Sequence, residues 1–163
     1  IEMIRLKTAV LLACALKTGA IVGDAPQADA DHLYDFGIHI GLAFQLQDDL
    51  LDVYGDPATF GKNIGGDILC DKKTFLRIHA ERLADERQKA CFQDWARRET
   101  FDPHEKIAAY TSIYNELGLK ELTEERIQAY YEEATRDLAA LSVDPERLNV
   151  LKTVCDQLMH RKK

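Results

Sequence analysis

Gln45-Leu46-Gln47-Asp48-Asp49-Leu50-Leu51-Asp52 is the stretch on which the fold turns. Wound as a helix, it puts Gln45, Asp48, Asp49 and Asp52 at i, i+3, i+4 and i+7, on one face. Backwards along the chain that face continues through Gly41, Ile38, Gly37 and Tyr34, small or apolar positions that suit a buried stripe. The stripe therefore turns acidic over its last two turns. Asp48 and Asp52 repel by roughly 0.2–0.5 kcal/mol at one-turn spacing, and inward carboxylates need a cation. Ligands that are all oxygen favour a hard ion such as magnesium, shared with phosphate and water. The plainer reading is a solvated acidic patch, but acidic residues are disfavoured near a helix C-terminus.

Outward from this stretch, helical periodicity runs the length of the chain, and strand signals are almost absent. Apolar stripes through Met3, Leu6, Val10, Ala13 and Leu16 wrap most of a first helix that stops near Gly19 to Gly23, which predicts a central helix. The acidic helix is expected from about Asp31 to Tyr54, with Asp29 and Asp31 as surface charge at its N-terminal end. Gly55-Asp56-Pro57 breaks it, and a Gly-rich loop follows from Gly61 to Gly66. A third helix is expected over roughly Lys73 to Arg98. Asp102-Pro103 starts another, closed by Gly118; Thr123 is read as the cap of the next, and Asp144-Pro145 as that of the last. The predicted class is all-α, one domain, without repeats or linkers.

The 163 residues carry a net charge of -7, with 46% hydrophobic and 30% charged residues. That balance argues against disorder, and the acidity argues against a nucleic-acid partner. No apolar run approaches transmembrane length. Cys14, Cys70, Cys91 and Cys155 lack metal-ligand spacing and read as buried, reduced thiols of a cytoplasmic protein. The chain opens at Ile1 already in helical register, as expected of a chain cut from a longer protein.

Cations complement the carboxylates. Lys7 stands in the apolar first helix, where it either snorkels to solvent or meets an anion. Gly61-Lys62-Asn63-Ile64-Gly65-Gly66-Asp67 and Lys72-Lys73-Thr74 follow the acidic face. Glycines let backbone approach a phosphate and lysines supply point charge, although the spacing is not that of a P-loop. Alone, the loop reads as ordinary surface; with the carboxylates it suggests a metal–diphosphate site.

Phe44-Gln45 through Asp48-Asp49 to Asp52 resembles the second aspartate-rich motif, FQxxDDxxD, of the trans-isoprenyl (polyprenyl) diphosphate synthases. Gly61-Lys62, Gly66-Asp67 and Lys72-Lys73-Thr74 resemble that family's downstream GK…GxD…KKT segment, and Met3 to Ala9 its Lys-Thr helix. Three motifs in order, over Ile1 to Leu76, make the resemblance specific. It implies the C-terminal half of the all-α isoprenoid (terpenoid) synthase fold, with the half bearing the first aspartate-rich motif absent. It also implies farnesyl or geranylgeranyl-type chemistry: isopentenyl diphosphate joined head to tail to an allylic prenyl diphosphate.

By the same resemblance Asp48 and Asp49 would hold Mg2+, with Asp52 direct or through water; Lys7 and Lys62 would bind the allylic diphosphate, with Lys72 assisting at the margin of that substrate site. The Thr8 carbonyl and the Gln45 amide oxygen would face the allylic cation, and Phe44 would pack near the prenyl groups. Homodimerisation is expected from the family. A chain lacking the first motif is expected to be inactive alone and to expose an apolar face. Three other readings remain: a terpene cyclase, whose second motif mixes Asn, Ser and Glu; a non-catalytic modulatory subunit of a synthase heteromer; and a helical interaction module.

Overall fold

Caps and glycines set the helix boundaries. The computed structural model describes residues 1–56 and 64–159, and among these every regular element is helical. Three consecutive segments form the first rod: α1 (Glu2–Ile4), a π-helical stretch (Arg5–Ala9) and α2 (Val10–Val22). Next come α3 (Gln27–Tyr54), the short α4 (Gly66–Leu69), α5 (Phe75–Leu83), α6 (Glu86–Arg97), α7 (Pro103–Glu116) and α8 (Leu119–Ala139). A 3-10 turn (Pro145–Leu148) leads into α9 (Asn149–Met159).

Several boundaries differ from the sequence reading. α3 begins at Gln27, ahead of Asp31. The expected helix over 73–98 is two helices, because the Asp85 carboxylate accepts the Gln88 N–H while the Gln88 side chain accepts the Asp85 N–H. That capping box starts a new helix inside a continuous apolar period. Thr123 caps nothing. It lies inside α8, fully buried, and donates its hydroxyl to the Leu119 carbonyl. The left-handed turn at Gly118 (φ 63°) separates α7 from α8 instead. Asp102 caps α7 as expected, accepting the His104 N–H, whereas Asp144, expected to cap the last helix, caps the 3-10 turn that leads into it, accepting the Glu146 N–H.

Over the described residues the chain divides into two units, one made of Ile1–Gln47 and Glu125–Met159, the other of Asp48–Glu124. The first unit has a core of Phe36 and Ile40 from α3, Ala134 and Leu138 from α8, and Cys155 from α9, with Leu16, Leu33 and Leu151 packed against it. In this unit the first rod lies very close to α3. A Cβ on Gly37 would stand 2.5 Å from the Cα of Ala13, and one on Gly41 2.7 Å from the Cα of Ala9. Only glycine allows that approach.

The first rod is not buried all round, as its apolar surface had suggested. Ile4, Ala9, Ala13 and Ala20 are covered, whereas Leu6, Leu11 and Val22 are 60%, 76% and 79% exposed. Among the described residues only one face of it is packed. The cysteines also depart from expectation: Cys155 is buried, Cys91 partly so, and Cys14 and Cys70 are exposed. Asp29 is not surface charge either. It is buried and accepts the Ser142 N–H at 3.0 Å and the Ser142 hydroxyl at 2.7 Å, which hold its carboxyl below the ordinary range.

In the second unit α7 is the hub on which α4, α5 and α6 pack. Tyr110 and Tyr114 of α7 are buried, and the Phe92 ring meets Tyr110 edge-on at 4.9 Å. The Arg77 guanidinium lies 4.4 Å from the Phe92 ring centre and 4.8 Å from that of Tyr110.

Candidate functional site

The last turns of α3 carry the three carboxylates singled out in the sequence. Asp49 points inward, its side chain 4% exposed, while Asp48 and Asp52 are half-buried. The segment after the break folds back onto this helix end. Gly65 donates its N–H to the Asp52 carbonyl, and the Asp67 N–H reaches Asp52 Oδ2 at 2.9 Å. Gly65 adopts φ 82°, and a Cβ there would stand 2.6 Å from the Ile107 side chain on α7. Two constraints, handedness and space, thus demand glycine at this position.

The fold-back brings a fourth carboxylate and a cation to the cluster. Lys72 Nζ donates to Asp67 Oδ2 at 2.7 Å and to Asp49 Oδ1 at 3.3 Å. Burial alone would lower the Lys72 ammonium, but its hydrogen bond to Asp67 and the charges of Asp49 and Asp67 hold it above its ordinary value. Burial pushes the Asp52 carboxyl up, aided by the charge of Asp67 and opposed by the N–H of Asp67 and by Lys72. Its ionised form is therefore under strain that a further cation would relieve.

Oxygen donors of this kind suit a hard divalent ion. Among the described residues no three carboxylate, imidazole or thiolate groups converge tightly enough to hold a metal by themselves. The fit is to a partial shell, in which one or two carboxylates share the ion with phosphate and water, as magnesium prefers.

The first unit holds the other predicted residues. Lys7 and Thr8 lie in the π-helical stretch, Lys7 exposed and Thr8 half-buried. The Thr8 hydroxyl donates to Gln45 Oε1 at 3.0 Å, which orients the amide. Phe44, next to Gln45 on α3, is half-buried. Lys62 lies outside the described residues. The structure thus brings Asp49, Asp52 and Lys72 into one cluster and pairs Thr8 with Gln45.

The sequence reading did not assign a role to Asp67, although it stood in the quoted segment. It also missed Asp71, Lys106 and Tyr110, which meet behind the Lys72 turn: Lys106 Nζ stands 2.8 Å from Asp71 Oδ2, and the Tyr110 hydroxyl donates to Asp71 Oδ1 at 3.3 Å. Linear spacing carried no signal for this trio, which the packing of α4 on α7 brings together. No helix among the described residues is long and apolar enough to cross a membrane.

Known proteins are similar to this chain in sequence and in fold. A family model described as Polyprenyl synthetase matches residues 1–113. Geranylfarnesyl diphosphate synthase of Aeropyrum pernix is 32% identical over 164 residues, covering 100% of this chain and 50% of its own. Short chain isoprenyl diphosphate synthase of Methanocaldococcus jannaschii is 42% identical over 89 residues, 55% of this chain and 27% of its own. A crystal structure of geranylgeranyl pyrophosphate synthase superposes with TM-score 0.87 at 36% identity, covering 99% of this chain and 50% of that one. The chain spans about half the length of the curated relatives it matches from end to end.

Proposed function

This chain belongs to the polyprenyl synthetase family, and we propose from that premise that it forms the diphosphate-activating part of an isoprenyl diphosphate synthase. The observation that carries the proposal is the inward Asp49 carboxylate, clasped by Lys72, beside Asp52 and Asp67 at the end of α3. Carboxylates and a lysine ammonium in one small volume can receive a diphosphate together with a divalent ion.

In this reading Asp48, Asp49 and Asp52 hold Mg2+ with the allylic diphosphate. Bound there, magnesium would supply Lewis-acid stabilisation of charge on the departing group. Lys7, Lys62 and Lys72 bind the diphosphate oxygens, so that charge growing on them is met as the C1–O bond ionises. The Thr8 carbonyl and the Gln45 amide oxygen offer the negative ends of their dipoles to the allylic cation. The hydrogen bond from Thr8 to Gln45 supports that orientation. Phe44 excludes water from the prenyl groups. The double bond of isopentenyl diphosphate then attacks C1, a proton leaves the adjacent carbon, and released pyrophosphate takes it. Cytoplasmic location and a homodimer belong to the same proposal, the latter supported by the exposed apolar side chains of the first rod.

The test is a prenyl-transfer assay with Mg2+, isopentenyl diphosphate and C5, C10 and C15 allylic diphosphates, on the intact protein that carries this chain. Product that Asp48→Ala abolishes supports the proposal. No turnover in the intact protein rejects it and favours a modulatory subunit; a protein named heptaprenyl diphosphate synthase component 2, from Geobacillus stearothermophilus, is 40% identical over 90 residues.

A further inference from the structure

The turn that presents Lys72 is short and sharply bent. Asp71 sits in the left-handed region at φ 48°, where an aspartate is tolerated and most residues are strained. Main-chain bonds from Asp71 to Ile68, from Lys72 to Asp67 and from Thr74 to Lys72 close the bend but leave the Asp71 side chain to be placed from elsewhere. Lys106 places it. This lysine is 1% exposed, and its ammonium reaches Asp71 Oδ2 at 2.8 Å and the Leu69 carbonyl at 3.4 Å. Tyr110, one turn along α7, donates its hydroxyl to Asp71 Oδ1 at 3.3 Å. The rings of Phe101 and Tyr110 lie 4.9 Å and 5.7 Å from the Lys106 ammonium.

A buried ammonium needs compensation, and a hydrophobic residue of similar volume would fill the same space more cheaply. What the lysine provides is a fixed point for Asp71 Oδ2 and for the Leu69 carbonyl, on either side of the bend, while the Tyr110 hydroxyl holds Asp71 Oδ1. With those held, the next residue, Lys72, is directed back to Asp67 and Asp49.

We propose that Lys106, with Tyr110, is a positioning residue: it locks Asp71 so that the Lys72 ammonium stands ready against Asp49 and Asp67 to receive a diphosphate. The consequence for diphosphate binding rests on the function proposed above; the positioning of Lys72 does not.

Two measurements on the intact protein separate these. The first is acetylation of lysines in the absence of ligand, read by peptide mass spectrometry as the rate at Lys72 relative to Lys120. In Lys106→Met and in Asp71→Asn the ratio rises about threefold or more, since an engaged amine is released. Asp71→Asn keeps a side chain that tolerates the left-handed bend, so the test survives if Lys106→Met does not fold. An unchanged ratio in a folded variant overturns the proposal.

The second measurement is the affinity for Mg2+ with inorganic pyrophosphate by calorimetry. Lys106→Met weakens it about tenfold, but in a Lys72→Met background by less than about twofold, the non-additivity that a shared action demands. A merely structural Lys106 weakens binding equally in both backgrounds, and that result also overturns the proposal. Should the wild-type protein bind no pyrophosphate, the proposed function fails, while the acetylation ratio still decides the positioning.

Discussion

Lys72 Nζ stands 3.3 Å from Oδ1 of Asp49, a carboxylate whose side chain is 4% exposed. Taking the lysine away would leave a buried negative charge with less compensation. Lys72→Met is therefore expected to lower stability by about 1–3 kcal/mol, as for the loss of a charged hydrogen bond. Added Mg2+ should restore part of that loss in the variant. Urea unfolding with and without Mg2+ checks it, and an Mg2+ response no larger than that of wild type would count against cation binding at Asp49.

Asp52 illustrates a trade between stability and binding. Because burial raises its carboxyl, ionised Asp52 disfavours the folded state above the folded pKa, and the penalty fades as pH falls toward the unfolded value. Asp52→Asn should raise the melting temperature at pH 7 by about 1–2 °C, a fraction of a kcal/mol for a chain of this size. The gain should vanish near pH 3, while Mg2+–pyrophosphate affinity falls. Thermal scans at both pH values, with calorimetry, test the pairing.

Gly37→Ala and Gly41→Ala drive a methyl into the backbone of the first rod at Ala13 and Ala9. Helix propensity favours alanine by about 0.5–1 kcal/mol, but overpacking against backbone that cannot yield costs about 1–3 kcal/mol and wins. Gly19→Ala meets nothing within 4 Å and should stabilise instead. Chemical unfolding midpoints for the three variants give opposite signs if the close approach is real.

For Asp29 the sign runs the other way from Asp52. The Ser142 hydroxyl and N–H lower its carboxyl in the folded state, so its stabilisation is full above the unfolded value near 3.8 and is lost as pH drops below it. Asp29→Asn should be less stable than wild type at pH 7, with the gap closing toward pH 2. Urea midpoints across that range measure the gap, and a constant difference would refute the carboxylate as its source.

Local chemistry made much of this legible. The i, i+3, i+4, i+7 spacing placed Asp48, Asp49 and Asp52 on one face of α3, and Asp102-Pro103 and Asp144-Pro145 marked starts that the structure reproduces. Where two local signals competed, periodicity misled. The apolar period over 73–98 ran across the Asp85–Gln88 capping box, and Thr123 offered a cap that burial in α8 overrode. Lys106 and Asp71 are 35 residues apart and meet only because α4 packs on α7. Nothing in linear spacing announces such a pair.

The π-helical stretch at Arg5–Ala9 has a consequence of its own. In an α-helix each residue advances the bearing of its side chain by about 100°. A π-turn absorbs one extra residue without breaking the rod, so everything ahead of it is rolled by one such step relative to α2. Lys7 and Thr8 thus owe their compass direction partly to a count of residues. Were the rod to regularise with every residue kept, Ile4 would turn away from its buried position, whereas deleting one residue between Arg5 and Ala9 would remove the extra one and leave Ile4 facing as it does now.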